Sequence, residues 1–383
     1  MKKIFLLFLC LCLLFVPNKQ VNAYAEESQI QLTAEAAVLM EPISKKVIYE
    51  KNAHKKLYPA SMTKMMGLLL ILEAEEQGII DFKDIVTVSS YASSMGGTQI
   101  FLEENEKMSV EDLFKSVAIN SANDAIVALG EHLSSSNELF VKKMNDKAKE
   151  LKMNDTHFVN ATGFDDKNHY TSAYDMALLG SHLVQFGEKI LKYTSMQEGY
   201  VRESSSEPFW LVNTNKLLKY YEGMDGLKTG FTQDAGYNLT ATACRNGVRL
   251  ISTVMHLDSI AHRSQDTIRL LDYGFSKFKA HTLYLKDDIV TTFEIDKSLN
   301  KYLSVYVNEE VKIIIDKMEK EDNIKIKTVL EKLDPPYVKG ERVGYLEIKT
   351  KSMTYIFDLY AYNDVKGINL FAYLLNYLRK IFA

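Results

Sequence analysis

The 383-residue sequence predicts an α/β domain whose antiparallel sheet is covered by helices, followed by a small all-β domain and a C-terminal amphipathic helix. Two observations lead to this fold class. Strand-like segments lie on both sides of a helical middle, the pattern expected when both ends of a domain contribute strands to one sheet. The region that follows consists almost entirely of short β-type segments bounded by turn residues.

The first 23 residues are expected to be a secretory signal peptide. Lys2 and Lys3 precede an apolar run over residues 4–16, which is too short to span a bilayer comfortably. Small residues then offer cleavage sites after Ala23 or Ala25. A buried N-terminal helix is the alternative, but no amphipathic period accompanies the run. The protein is therefore expected to be exported.

The chain that remains after removal of this signal is acidic. The whole chain has a formal net charge of −4, and the signal contains Lys2, Lys3 and Lys19 without any acidic residue, so about −7 remains. An acidic chain is a poor candidate for nucleic-acid binding. The eight histidines show no H-E-x-x-H or other clustered metal spacing, so no metal and no cofactor are expected.

The main domain is expected over residues 26–280, and its first half alternates from a hairpin to helices. Segments 36–42 and 45–51, separated by a Pro-Ile-Ser turn, predict the hairpin. A long apolar helix should follow from about Ser61 to Gln77. Three more helical regions are predicted: 109–130, with a break at Asn-Ser-Ala-Asn and a Ser109 cap, then 137–153 and 172–186.

Strands return in the second half of this domain. Residues 225–231, 237–245 and 248–257 are strand-like, and Asn246-Gly247 between the last two is a strong hairpin signal. Residues 262–278 then predict a closing helix.

The C-terminal β domain is expected over 281–363, with an amphipathic helix over 364–383. That helix is too short and too polar to span a membrane, and its apolar face and basic end are typical of a helix that lies in the membrane interface. The alternative is a helix docked on its own β domain. The apolar positions of its face are Phe371, Leu374, Leu375, Leu378, Ile381 and Phe382.

Ser61 and Lys64 form an S-x-x-K pair at the predicted start of the long apolar helix. Residues three apart on a helix point the same way, so the lysine amine can reach the serine hydroxyl. Serine is a weak nucleophile until a neighbouring base takes its proton. Apolar neighbours such as Met65 and Met66 would lower the pKa of the lysine and so allow it to act as that base.

Two further motifs follow in a fixed order along the chain. Ser121 and Asn123 form an S-x-N in the break between two helices, and Lys228-Thr229-Gly230 lies on a predicted strand. The ordered set S-x-x-K, S-x-N, K-T-G is an active-site signature of acyl-transferring serine enzymes. A second S-x-x-K, Ser276 to Lys279, does not fit this signature, because it comes after K-T-G in the chain and lies late in its predicted helix.

These motifs, with the surrounding sequences YPASMTKMM, SAND, NTNKLL, GMDGLKTGFT and AGYNLTATA, resemble the low-molecular-mass penicillin-binding proteins, specifically the D-alanyl-D-alanine carboxypeptidases. The similarity is dense over residues 30–280 and extends to the β domain and the tail. It implies a serine β-lactamase/transpeptidase-like fold for the main domain. It also implies a peptidoglycan stem peptide as substrate, β-lactams as inhibitors and a place at the outer face of the cytoplasmic membrane, in cell-wall biogenesis and cell shape.

The resemblance also implies a role for each motif residue. Ser61 would be acylated by the penultimate D-Ala of a pentapeptide, Lys64 would be its base, and Ser121 and Asn123 would relay a proton and position the peptide. The carboxylate of the terminal D-Ala would be held by Lys228 and Thr229. The substrate-binding set implied by the resemblance is Lys228, Thr229, Gly230, Phe231 and Arg263, with the backbone N–H groups of Ser61 and Phe231 as the oxyanion hole.

Three alternatives share parts of this chemistry. A D,D-endopeptidase would use the same residues on cross-linked peptides. A class A β-lactamase would need a glutamate in an E-x-x-L-N context, and the nearest candidate, Glu207, has the wrong spacing to Leu211 and Asn213. A non-catalytic wall-binding or β-lactam-sensing protein would keep the pocket without turnover.

Overall fold

The computed structural model describes residues 30–296, 298 and 300–368. The predicted signal peptide and residues 369–383 of the predicted tail lie outside the described residues. The strands of the described chain are β1 (Ala36–Met40), β2 (Val47–Lys51), β3 (Ile85–Thr87), β4 (Lys107–Ser109), β5 (Glu198–Val201), β6 (Phe209–Val212), β7 (Met224–Thr232), β8 (Gly236–Arg245), β9 (Val248–Leu257), β10 (Phe278–Tyr284), β11 (Ile289–Glu294), β12 (Tyr302–Tyr306), β13 (Val311–Asp316), β14 (Lys325–Leu330), β15 (Arg342–Lys349) and β16 (Thr354–Ala361). Its helices are α1 (Lys64–Glu76), α2 (Ser90–Ser93), α3 (Val110–Asn120), α4 (Asn123–Ser134), α5 (Asn137–Glu150), α6 (Ala173–Leu183), α7 (Glu188–Thr194), α8 (Leu217–Tyr220) and α9 (Ile260–Lys277).

A five-stranded antiparallel sheet in the order β2-β1-β9-β8-β7 forms the centre of the main domain. Its N-terminal strand β1 pairs directly with β9, from Ala36 opposite Met255 to Met40 opposite Ile251. The prediction that strands from both ends of the domain share one sheet is confirmed. Strand β7 lies at one end of this sheet, so one of its edges is free to border a cleft.

The tight turn between β8 and β9 has the predicted hairpin geometry. Asn246 and Gly247 both have positive φ angles, 50° and 78°. Two positive φ values are what a two-residue type I′ hairpin requires, which is why Asn-Gly is favoured there. The two long strands are therefore held in register through Arg245 opposite Val248.

Helix α1 is enclosed by the rest of the domain. Every residue from Lys64 to Leu72 is buried, and the helix packs against α4 and α6. A helix that is apolar around its whole circumference is stable only inside a core. Because Lys64 opens this helix, its amine is carried into the interior with it.

The predicted break between α3 and α4 is confirmed. Ser109 caps α3 by accepting a hydrogen bond from the Asp112 N–H at 3.0 Å. At the far end Ser121 adopts a left-handed conformation (φ 66°, ψ 31°), which stops α3 before α4 begins at Asn123. Ser121 therefore lies in a sharp turn between two buried helices.

The C-terminal region is all-β, as predicted. A second antiparallel sheet has the order β11-β12-β16-β15-β14, and β10 pairs with β13 in a separate ribbon. The buried Tyr355 hydroxyl joins sheet to ribbon, since it donates to the Ile314 carbonyl at 3.0 Å and accepts from the Ile314 N–H at 3.2 Å. Within the described ranges no helix combines the length and hydropathy needed to cross a bilayer.

Candidate active site

The Ser61–Lys64 pair lies where a 3₁₀ turn, Ala60–Thr63, leads into α1. A 3₁₀ helix has about three residues per turn, so positions i and i+3 eclipse one another. Lys64 Nζ accordingly lies 2.9 Å from Ser61 Oγ. The preceding residue, Ala60, has a φ of +47°, an unfavourable conformation of the kind that recurs at functional sites.

The Lys64 amine is fully buried, and its second contact is the carbonyl of Thr162, to which Nζ donates at 2.7 Å. Burial lowers the pKa of Lys64 well below its ordinary value, and the nearby charge of Lys228 lowers it further, while Asp124 acts in the opposite direction. When neutral, the Lys64 amine can donate a hydrogen bond to the Thr162 carbonyl and still accept the Ser61 proton on its lone pair. The environment therefore suits Lys64 to accept the Ser61 proton.

The loop 160–164 that supplies the Thr162 carbonyl is organised by one side chain. Asn160 Oδ1 accepts from the N–H groups of Thr162, Gly163 and Phe164 at 3.2, 2.7 and 3.1 Å. Gly163 has a φ of +89°, and a Cβ there would lie 1.9 Å from the Ala60 carbonyl oxygen. Only glycine therefore lets this loop pack directly on the 3₁₀ turn Ala60–Thr63, here called the serine turn.

Asn123 of the S-x-N motif lies near the same loop. Asn123 Nδ2 donates to the Gly96 carbonyl at 2.7 Å, and a Cβ at Gly97 would lie 2.8 Å from Asn123 Nδ2 and 3.6 Å from the Phe164 ring. Ser121 Oγ is buried and has no hydrogen-bond partner among the described residues. A buried hydroxyl without a partner is costly unless a ligand or water completes its bonding.

Strand β7 presents the K-T-G sequence along the free edge of the sheet, where it touches the serine turn. A Cβ at Gly230 would lie 2.5 Å from the Pro59 carbonyl oxygen and 3.2 Å from Met62 N, so the close approach requires glycine. Lys228 and Thr229 are buried beside it. Phe231 remains 51% exposed and stacks on Tyr237 with ring centroids 4.3 Å apart.

Lys228 and Arg263 place two buried cations side by side. Burial, reinforced by the charge of Arg263, lowers the pKa of Lys228 to about 7, and burial lowers the pKa of Arg263 to about 10. In the described chain neither takes part in an ion pair, and Arg263 Nε is buried without a partner. Two uncompensated cations form a site for an anion such as a carboxylate.

The structure brings several of the sequence-predicted residues close together. Lys64 Nζ reaches Ser61 Oγ, and Gly230 packs on the backbone of residues 59–62. The charge of Lys228 acts on Lys64, and that of Arg263 acts on Lys228. Asn123 lies near Gly97, which in turn lies near Phe164 of the 160–164 loop. Glu207, the weak candidate for a β-lactamase glutamate, lies exposed in the connection between β5 and β6. In the described chain no three His, Cys, Asp or Glu side chains converge as metal ligands would.

Sequence reasoning missed four contributors to the site: Asn160, the Thr162 carbonyl, Asp124 and Thr214. A backbone carbonyl leaves no signature in a sequence, and Asn160 and Gly163 gave only a turn signal. Asp124 accepts from the N–H groups of Ile100 and Leu102 and could have been singled out from its place in Ser-Ala-Asn-Asp. Thr214 Oγ1 lies 2.5 Å from Thr229 Oγ1, a contact between distant segments with no local signal.

Comparison with known proteins agrees with this geometry. A family model described as D-alanyl-D-alanine carboxypeptidase matches residues 22–259, and a model described as penicillin-binding protein 5, C-terminal domain, matches residues 278–367. D-alanyl-D-alanine carboxypeptidase DacF of Bacillus subtilis is 42% identical over 323 residues, which cover 84% of this chain and 83% of that protein.

Solved structures share this fold over most of the chain or over a part of it. Penicillin-binding protein 5 of Haemophilus influenzae superposes with a TM-score of 0.70 at 31% identity, covering 88% of this chain and 98% of that one. Penicillin-binding protein D2 of Listeria monocytogenes, in its ampicillin-bound form, gives 0.57 at 33% identity, covering 64% and 98%. The resemblance predicted from the motifs is confirmed, and the chain belongs to the D-alanyl-D-alanine carboxypeptidase family of serine peptidases.

Proposed function

We propose that this chain removes the terminal D-Ala from peptidoglycan pentapeptides through an acyl-enzyme on Ser61, and so limits cross-linking of the cell wall. The observation that supports this most directly is the position of Lys64 Nζ, 2.9 Å from Ser61 Oγ and 2.7 Å from the Thr162 carbonyl. A buried amine with a lowered pKa beside a hydroxyl is the arrangement that activates a serine.

In acylation, Ser61 Oγ attacks the carbonyl carbon of the penultimate D-Ala while its proton passes to Lys64 Nζ. The bond between this carbon and the nitrogen of the terminal D-Ala then breaks, and the leaving amine takes up the proton. The developing oxyanion is assigned to the backbone N–H groups of Ser61 and Phe231. The contact of Gly230 with the serine turn supports this assignment, because it brings the two N–H groups to neighbouring backbone.

The terminal carboxylate is assigned to Lys228, Thr229 and Arg263. An anion between the two cations would compensate charges that burial otherwise leaves unpaired. A carboxylate would also raise the pKa of Lys228 again and keep that lysine charged. Such a pocket would favour a substrate with a free C-terminal carboxylate.

The proposed second half-reaction returns the enzyme to its starting state. Water attacks the acyl carbon, the bond from that carbon to Ser61 Oγ breaks, and the serine recovers a proton. Ser121 is assigned to proton transfer, since its hydroxyl is buried, unpartnered within the described chain and carried by the turn that leads to Asn123. Asn123 is assigned to positioning of the peptide. β-Lactams are assigned to the same pocket, because they carry both a reactive carbonyl and a carboxylate.

The location of the reaction is also part of the proposal. Residues 1–23 would direct export, residues 26–280 and 281–363 would form the two domains, and residues 364–383 would hold the enzyme on the outer face of the cytoplasmic membrane. Support comes from the apolar run after Lys3 and from the helical period of the tail.

Product analysis tests the proposed substrate. The chain without residues 1–23 is incubated in parallel with a pentapeptide ending in D-Ala-D-Ala and with a cross-linked dimer of wall peptides. We expect equal amounts of free D-Ala and tetrapeptide from the first and little change in the second. Monomers released from the dimer without free D-Ala from the pentapeptide would indicate an endopeptidase instead.

A further inference from the structure

Thr214 touches the K-T-G strand although it lies in a separate turn. It follows β6, its side chain is exposed toward solvent, and its Oγ1 lies 2.5 Å from Oγ1 of the buried Thr229. Within the described chain this is the one hydrogen bond of the Thr229 hydroxyl. Thr229 has been assigned to the substrate carboxylate, so whatever orients its hydroxyl affects that contact.

The turn that carries Thr214 is fixed by two buried asparagines. Asn213 Nδ2 donates to the Met196 carbonyl at 3.0 Å, and Asn213 Oδ1 accepts from the Asn215 N–H at 2.9 Å. Asn215 Nδ2 donates to the Gly226 carbonyl of β7 at 3.3 Å. The turn is thereby anchored both to the segment after α7 and to the strand that bears Thr229, so the Thr214 hydroxyl is held in place.

The direction of the hydrogen bond follows from counting protons. Each threonine hydroxyl has one proton to donate and can accept at its lone pairs. A carboxylate only accepts, so when it is bound, the Thr229 proton must point to it. The bond between the two threonines can then persist only if Thr214 donates to Thr229.

We propose that Thr214 is a positioning residue, which donates to Thr229 Oγ1 and thereby aims the Thr229 proton at the carboxylate of the substrate. This inference rests on the proposed function in one respect, namely that Thr229 binds the terminal carboxylate of the substrate. In the free enzyme the same pair keeps the Thr229 rotamer ready, so binding needs no rearrangement there. A donated hydrogen bond also polarises the Thr229 hydroxyl and strengthens its own donation.

The test compares Thr214→Val with Thr214→Ser, using the rate of Ser61 acylation by a penicillin and by the methyl ester of the same penicillin. Valine keeps the shape of threonine but cannot donate, whereas serine keeps the hydroxyl. We expect Thr214→Val to slow acylation by the penicillin about tenfold. This is the effect typical of losing one hydrogen bond to a charged group, here the bond from Thr229 to the carboxylate. Thr214→Ser should stay close to the wild type.

The methyl ester separates positioning from a general structural effect. It lacks the carboxylate, so Thr214→Val should acylate with the ester at nearly the wild-type rate. Equal losses with penicillin and ester would overturn the proposal, because they would show damage to the site as a whole. A rate with penicillin unchanged in Thr214→Val would overturn it as well.

A double-mutant cycle with Thr229→Val adds an independent criterion. If Thr214 acts through Thr229, the double variant should acylate no more slowly than Thr229→Val alone. Full additivity of the two losses would contradict the proposal. Because acylation by penicillin needs no turnover of peptide, these results stand even if D-Ala release fails and the proposed substrate is wrong.

Discussion

Thr162 and Lys64 lie 98 residues apart in sequence, yet the Thr162 carbonyl accepts a 2.7 Å hydrogen bond from the buried Lys64 amine. This contact fixes the side chain at the position where its nitrogen is 2.9 Å from Ser61 Oγ. The proposed base is thus held by a backbone carbonyl. Burial keeps the pKa of Lys64 well below its ordinary value, and the charge of Lys228 lowers it further.

Replacement of Lys64 by methionine should slow acylation strongly without unfolding the domain. Methionine fills a similar volume and suits a buried position, but it cannot take the serine proton. We expect penicillin labelling of Ser61 to slow by about 10²–10⁴-fold, the usual contribution of a general base. The thermal midpoint should be at least that of the wild type. Labelling at the wild-type rate would show that another group activates Ser61.

Gly163→Ala should damage both stability and activity, because its Cβ would lie 1.9 Å from the Ala60 carbonyl oxygen. Gly340→Ala is the matched control: its φ of +85° is similar to the +89° of Gly163, but no atom lies within 4 Å of the added Cβ. The control should lose about 1–2 kcal/mol for backbone strain alone and keep full activity. Gly163→Ala should lose about 1–3 kcal/mol more and most of its acylation rate. Equal effects in denaturant unfolding would contradict the close contact.

His169 should make the domain sensitive to mild acid. Its Nδ1 accepts from the Val159 N–H at 3.0 Å and its Nε2 lies 2.8 Å from Thr63 Oγ1, so the ring is held neutral. Burial lowers its pKa from 6.5 to about 4. Between pH 6.5 and about 4 the unfolded chain binds a proton at His169 that the folded chain does not. The free energy of unfolding is therefore highest above pH 6.5 and decreases as the pH falls toward 4. The loss should reach up to about 3 kcal/mol.

Urea unfolding of the wild type and of His169→Asn across pH 7 to 4 measures this contribution. The variant should be less stable at pH 7 but should lose less stability toward pH 4. The exposed His132, replaced by glutamine, serves as the control and should follow the wild-type profile. Parallel profiles for wild type and His169→Asn would contradict a neutral buried imidazole.

The proposed membrane role of the tail can be tested with two full-length variants of equal charge. Leu374→Asp with Leu378→Asp places two carboxylates on the apolar face of the predicted helix, whereas Asn369→Asp with Asn376→Asp places them on the polar face. We expect the first pair to abolish sedimentation with vesicles of the bacterial lipids and the second to weaken it only slightly. If both double variants lost sedimentation with vesicles to the same extent, charge alone would govern binding and the apolar face would have no role.

The sequence predicted the parts of this molecule that depend on local pattern. The Asn246-Gly247 hairpin, the Ser109 cap and the long apolar helix α1 each follow from residue types within a few positions. The S-x-x-K, S-x-N and K-T-G motifs were recognisable because each chemistry-bearing side chain has a fixed local spacing. Their order predicts that they meet at one site, and Gly230 of K-T-G approaches the backbone beside Ser61 closely.

The parts that could not be predicted depend on contacts between distant segments. The Thr162 carbonyl that holds Lys64 and the Thr214 hydroxyl that meets Thr229 become visible only when the chain is folded. The first turn of the long helix is also 3₁₀ rather than α, because strand β7 and the 160–164 loop pack on it closely. Tertiary packing decides such details, which residue propensity alone does not contain.

Release of D-Ala from diacetyl-Lys-D-Ala-D-Ala tests the central claim most directly. The chain without residues 1–23 is compared with its Ser61→Ala and Ser276→Ala variants. Ser276 belongs to the second S-x-x-K and lies near the C-terminal end of α9. We predict that the unaltered chain and Ser276→Ala release D-Ala at equal rates and that Ser61→Ala releases none above background. D-Ala release that survives in Ser61→Ala would contradict the assignment of Ser61 as the nucleophile.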